Sequence, residues 1–371
     1  MSHLIFSPEF KLMLSCCRVK PGNSEFERRA EAMGASINEE VFLALLISHR
    51  VFPLVYFNLK EESLISDGLK DNLKQLSAAN QLQALQSRHM QFRLQKELDR
   101  KQYKGFFFKG VSISEHYYGD AGLRHVMDID FWVEQKALEP IANWLFNEGY
   151  CAVPDIRSLN ARQLAFVQKT DHDLQFITDK PGLPKVIELH WKLRGPLGGF
   201  NLQPEALMNE VDHFLYICTH GTEHGWFRLK WLFDLPQIID AVSFDWEAVR
   251  ERAIALDCLD HLEIGMLVLQ EFLNEPIPKA ILSRLQPHQY ESHLRYIRRA
   301  ISAESTFNDN YVNRLSFLRY MQLLSRRKFN WALLLKYLTS HQDWKLLPLP
   351  KQLFFLYFPL RPILVLWRRI F

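Results

Sequence analysis

The sequence predicts an α+β fold, with a small mixed sheet embedded between an N-terminal and a C-terminal helical region. Three observations point to it. Leu69–Leu98 is a long amphipathic stretch rich in Gln, Leu, Lys and Arg and nearly free of breakers. Residues 106–191 then alternate short β-type runs with helical patterns, and helical periodicity returns from Pro204 onward.

In chain order, Ile37–Leu59 carries apolar residues at helical spacing through Val41, Leu43, Leu45 and Leu46 until it meets Pro53. Phe106–Phe108 reads as a short aromatic strand, Lys109-Gly110 as a tight turn and Val111–Tyr118 as a short helix. A second strand is expected at Asp128–Val133. Lys136–Glu148 has a helical apolar face at Leu138, Ile141, Ala142, Leu145 and Phe146, with Gly149 where a C-cap belongs. Asp173–Thr178 and Lys185–Trp191 are two more strands, joined by the turn-forming Asp179-Lys180-Pro181-Gly182. Further helices are expected at Glu205–Thr219, Trp226–Val242, Trp246–Asn274 and Ala280–Ser302, with helical character continuing to about Tyr337. The pattern divides the chain into a helical region 1–100, an α/β core 101–200, a helical domain 201–340 and an apolar, basic tail 341–371. The tail is interrupted by Pro359, Arg361 and Pro362, too often for a membrane span. It suits packing on the protein's own helices, or else contact with a membrane surface.

A length of 371 residues suits two or three domains, and a net charge of +3 points away from a bulk nucleic-acid coat protein while leaving room for a local basic groove. Five scattered cysteines with no CxxC pair exclude a zinc ribbon and a disulfide framework. No basic region followed by a long apolar core opens the chain, so a reducing cytoplasmic location is expected.

Chemistry concentrates around Asp128-Ile129-Asp130. On a strand, residues two apart share a face, so the two carboxylates project side by side while Ile129 enters the core. Two such groups repel unless a cation lies between them, and oxygen ligands suit Mg²⁺ or Mn²⁺. In Val186-Ile187-Glu188-Leu189-His190 the same alternation puts Glu188 and His190 on one face, where Glu188 would be a third ligand. Metal held in this way stabilises in-line displacement at phosphorus. The Lys109-Gly110 turn lets backbone N–H groups approach phosphate, Ser112 offers a hydroxyl, and Arg124 or Lys109 would neutralise a triphosphate. His172 and His190 are candidates to support these acids. His220 and His224 have the spacing of a zinc-protease pair, but Gly221 stands where the catalytic Glu must be, so a protease is excluded. They read as a polar helix face near the cleft. Trp226, Arg228, Lys230 and Trp231 read as core tryptophans with solvated basic neighbours, the alternative being a cluster that stacks a base or touches phosphate.

These residues, Lys109-Gly110, Arg124, Asp128 to Val133 and Glu188-Leu189-His190-Trp191, together with His220 to Leu235, resemble the uncharacterised nucleotidyltransferase family of the DNA polymerase β-like superfamily. The resemblance covers about residues 37–240. It implies that Asp128 and Asp130 are paired metal ligands, that Glu188 is the third acid, and that Lys109-Gly110 replaces the usual Gly-Ser turn. It implies transfer of a nucleoside monophosphate from a nucleoside triphosphate, with Mg²⁺ or Mn²⁺ as cofactor. The acceptor stays open among a small molecule, a sugar phosphate, a polymer and a protein. A non-catalytic relative and a small-molecule phosphotransferase are the rival readings.

Overall fold

The computed structural model describes residues 6–22, 36–193, 209–302 and 338–370, together with 27, 29, 317, 319–321 and 324. Helices α1 (Pro8–Leu14), α2 (Glu39–His49) and α3 (Phe52–Leu59) precede a 35-residue helix, α4 (Asp67–Lys101). Pro53 does not kink a single helix. It sits in the first turn of α3, where its missing N–H costs nothing. Helix α4 starts where the Ser66 hydroxyl accepts the Leu69 N–H at 3.2 Å.

Five strands follow: β1 (Gly105–Phe107), β2 (Asp128–Val133), β3 (Cys151–Val153), β4 (Asp173–Ile177) and β5 (Val186–His190). Their order in the sheet is β1-β2-β5-β4-β3, and only the central β2–β5 pair is parallel. Helix α5 (Leu138–Glu148) follows β2 and ends at Gly149, whose φ of 98° is left-handed. The expected elements between 105 and 190 form within one or two residues of their expected ends. The connection Gly149–Asp171 was expected to hold none, yet contains β3 and helix α6 (Ala161–Thr170).

The two faces of the sheet differ. Ile129, Phe131 and Val133 of β2, Leu174 and Phe176 of β4, and Ile187 and Leu189 of β5 are buried with Met90, Leu94 and Leu98 of α4 and Ile141 and Leu145 of α5. Each fully buried side chain of this size contributes roughly 1.5–3 kcal/mol, enough to fix the register and with it the opposite face. That face carries Asp128, Asp130 and Trp132, Glu188 and His190, and Asp173 and Gln175.

Helices α7 (Glu210–Glu223), α8 (Leu229–Ala241), α9 (Trp246–Ala255), α10 (Leu259–Leu273) and α11 (Glu291–Ser302) cover it. Their apolar cluster is continuous with that of α1 to α3. Trp246–Asn274 is not one helix. Asp257 adopts φ 57° and separates α9 from α10. Ala280–Ser302 is likewise divided, with a short turn at Lys279–Leu282 and a 3-10 turn beginning at Pro287 ahead of α11. Residues 204–208 and most of 303–337, expected to be helical, lie outside the described residues.

The tail forms α12 (His341–Leu346) and α13 (Tyr357–Ile370) and docks on α6. Val167, Trp344, Phe354, Tyr357 and Leu364 form its core, and Arg162 donates to the Lys351 carbonyl at 3.1 Å. Of the two expectations for the tail, self-packing is realised. No helix among the described residues is long and apolar enough to cross a membrane.

Candidate active site

Asp130 and Glu188 are direct partners across the parallel β2–β5 pair, and Asp128 lies two residues before Asp130 on the same face. The three acids line one cavity of about 410 Å³ between the sheet and the helices. Alternation alone would put Asp128 and Asp130 together. It takes the β2–β5 register to bring in Glu188 from 58 positions further along the chain.

Each acid has a different setting. Asp130 is 3 % exposed, and its Oδ1 lies 2.9 Å from Lys109 Nζ and 3.3 Å from His190 Nε2. Burial would raise its pKa, but Lys109 and His190 more than offset this and hold it well below the carboxylate range. Burial likewise opposes the charge on Lys109, yet Asp130, followed by Tyr216 and Glu188, keeps its pKa well above the usual value. Asp128 has no such partner, so burial and then the neighbouring Asp130 charge push its pKa up. Glu188 Oε1 accepts from Gln175 Nε2 at 3.0 Å. His190 Nε2, 3.7 Å from Glu188 Oε2, is held against burial at a pKa of about 9 by Asp130 and Glu188.

The Lys109-Gly110 turn closes one end of the cavity. Gly110 has φ 62° and ψ −125°, and a Cβ there would lie 3.1 Å from the Asp128 carbonyl oxygen, so the turn both needs glycine and touches β2. Ser112 lies in the short helical turn Val111–Ile113 and outside the cavity lining. Arg124 reaches the lining but is committed to a buried ion pair. Its Nε and Nη2 donate to Asp234 Oδ1 and Oδ2 at 2.8 and 2.9 Å, and Tyr118 donates to the same Oδ1 at 2.7 Å. This trio pins the loop before β2 to α8. On the other side of that loop, His213 Nε2 meets the Phe108 carbonyl at 2.9 Å and its Nδ1 meets the Tyr117 hydroxyl at 3.0 Å, tying β1 to α7.

Helix α7 lends the cavity Tyr216, Thr219, His220 and Glu223, one helical stripe, with His224 at its end. The His220 and His224 rings meet at 4.6 Å, and His224 stacks on Trp231 at 4.9 Å. Thus the histidine pair does face the cleft, as a polar helix face. Trp226 is wholly buried and Trp231 is 7 % exposed, as core tryptophans. Their basic neighbours differ from the expectation, because Arg228 and the 92 % buried Lys230 line the cavity instead of facing solvent. Sequence reasoning missed Arg50, Asp173, Tyr216, Thr219 and Glu223 as lining residues. The recurrence of Tyr216, Thr219, His220 and Glu223 at helical spacing was a readable signal. Arg50, which follows α2 with φ 58°, gave none.

The donor set fits a divalent metal. Ligand atoms of Asp130, Glu188 and His190 lie within 4.8 Å of one another, Asp128 shares their face, and buried His190 Nε2 has no aligned hydrogen-bond partner. The carboxylate oxygens suit Mg²⁺ or Mn²⁺, and His190 would join them only on releasing the proton that Asp130 and Glu188 hold on it.

Comparison with known proteins gives one match. The family model described as uncharacterised nucleotidyltransferase covers residues 35–274, about two thirds of the chain. No curated protein and no solved structure matches.

Proposed function

We propose, from the premise that this chain belongs to the uncharacterised nucleotidyltransferase family, that it transfers a nucleoside monophosphate from a nucleoside triphosphate to an acceptor. The acceptor oxygen forms a bond to the α-phosphorus, the bond from that phosphorus to the bridging oxygen breaks, and pyrophosphate leaves. The observation that carries this reading is the pairing of Asp130 with Glu188, which gathers three acids on one face. Asp128, Asp130 and Glu188 would hold Mg²⁺ or Mn²⁺, with His190 beside them. Such a metal supplies Lewis-acid stabilisation of charge on the phosphoryl oxygens and activates the attacking hydroxyl. Gln175 fixes one Glu188 oxygen, leaving the other directed at His190 and the cavity, where it receives the acceptor's proton. Gly110 offers backbone approach to the phosphates. Catalysis is then mainly positioning and electrostatics.

The test is incubation with α-labelled and γ-labelled nucleotides and cell extract. Label moving from the α position, with pyrophosphate released, is the expected result. Label moving only from the γ position assigns a phosphotransferase instead, and no transfer of either overturns both.

One contact favours a non-catalytic reading. The Lys109 ammonium already neutralises Asp130 at 2.9 Å, where metal would otherwise do so. Calorimetric titration with Mg²⁺ and ATP separates the two, because a protein that relies on the lysine alone shows no metal-linked nucleotide binding. Membrane-surface contact by residues 341–371 would use the outer side of the tail, where Phe355, Ile363 and Leu366 are exposed. Co-sedimentation with anionic vesicles tests it, and loss on Ile363→Ser is expected.

A further inference from the structure

Arg50, Arg228 and Lys230 line the same cavity as Asp130 and Glu188, brought together from the end of α2 and the start of α8. Among the described residues, none of the three forms an ion pair with a carboxylate. Lys230 is buried while Arg50 and Arg228 are half-buried, and a cation withdrawn from water without a counter-ion is unfavourable. Burial, with Arg124 and Arg50 nearby, draws the Lys230 pKa down to about 7. Burial and Arg50 draw Arg228 to about 10. The only acid acting on all three is Asp128, which is itself short of a partner.

Position identifies the missing anion. Asp128 acts on the cations, and its backbone lies against the Gly110 turn, so the cations and the turn border the same acid. Arginine forks grip phosphate oxygens in pairs, and a lysine ammonium adds a compact charge. Lys109 and Arg124, the two cations expected to neutralise a triphosphate, are held by Asp130 and Asp234.

We infer that Arg50, Arg228 and Lys230 form a phosphate subsite that holds the β- and γ-phosphates of the nucleotide. The assignment rests on the nucleotidyl-transfer reading for its substrate, but the subsite itself needs neither metal nor acceptor. It makes the protein selective for triphosphates, since a monophosphate leaves the three cations unmatched, and it makes pyrophosphate an inhibitory product.

Calorimetry with inorganic triphosphate, pyrophosphate and phosphate, in chelator, tests it on the full-length protein. Triphosphate is expected to bind most tightly, and Arg228→Gln and Lys230→Met are each expected to weaken it about tenfold or more. Arg228→Lys, which keeps the charge and loses the fork, should fall between. In the wild-type protein, triphosphate should also protect Lys230 from amine acylation, a readout that needs no variant to fold. Equal binding by folded variants, or unchanged Lys230 labelling, overturns the subsite. If Arg228→Gln leaves the KM for nucleotide unaltered while α-label is still transferred, the subsite fails and the transfer reading stands. If triphosphate binds through these residues and no α-label moves, the reverse holds.

Discussion

The two walls of the cavity carry opposite charge and are completed in opposite ways. On the sheet wall Asp130 has Lys109 and His190, Glu188 has Gln175, and Arg124, at the edge of that wall, has Asp234. On the helical wall Arg50, Arg228 and Lys230 have no carboxylate ion pair among the described residues: Arg228 lies over the Phe227 and Trp231 rings, Asp128 acts on all three, and Asp234 also acts on Lys230. A paired charge holds the fold in place, whereas the cations without a carboxylate partner are those of the proposed phosphate subsite. Asp128 is the exception on the sheet wall, and by this criterion it belongs functionally with the helical wall.

That placement is easiest to break at Asp128. Asp128→Asn removes one metal ligand, and relief of the crowding by Asp130 is offset by loss of the acid that acts on all three cations, so stability should change little. Turnover should fall by on the order of 10³-fold, corresponding to several kcal/mol of lost transition-state stabilisation. Thermal unfolding and transfer assays on the same sample check both halves, and full activity in this variant removes Asp128 from the chemistry. Next in size is the Arg124–Asp234 pair. With the two side chains 5 % and 0 % exposed, Arg124→Met strands a buried carboxylate and should cost about 3–5 kcal/mol in urea unfolding. Should this variant instead keep its stability and lose nucleotide affinity, Arg124 would move into the ligand-facing class and the contrast between the walls would blur.

A smaller effect comes from histidines behind the walls. Burial lowers both His49 and His213 to about 4. His213 fits one neutral tautomer, donating from Nε2 to the Phe108 carbonyl and accepting the Tyr117 hydroxyl on Nδ1. Above pH 6.5 these rings are neutral in both the folded and the unfolded chain, so they add no pH dependence. Below it the unfolded chain takes up protons that the folded rings refuse, and stability falls as pH drops from about 6.5 to about 4. At pH 5.5 the loss is about 1 kcal/mol per ring. His213→Gln should flatten the urea midpoint between pH 7 and 5, and an undiminished slope would exclude this ring as a source.

Much of the sheet was legible because its strands are strongly patterned. Asp128–Val133 alternates acid and core residue over its first half, and Gly149 stops α5 where a glycine should. Strand β3 was illegible for a physical reason. It is three residues long at the sheet's edge, with only Ala152 buried, so it carries almost no hydrophobic signal. Helix α6 buries only Gln163 and Val167 among its own residues, and its amphipathic face is explained by the tail that covers it from 180 positions away. The Asp257 break in the 246–274 stretch uses no Gly or Pro, so no local breaker announces it. In the site, the acids could be found because strand alternation is local. Arg50 could not, because what places it in the cavity is tertiary proximity to Arg228 and Lys230.

The parallel pairing of β2 with β5 also has a temporal consequence. Neighbouring parallel strands need a long intervening crossover, here spanning residues 134–185 with its own helices and two further strands. Closing so distant a contact costs chain entropy before it returns any stabilisation. A ribosome-bound chain that has emerged only through β2 therefore exposes two aspartates with no glutamate beside them, and Arg50 waits for Arg228 longer still. On the proposed reading, the three acids and the phosphate subsite are complete only once the whole crossover and the helices after it have formed.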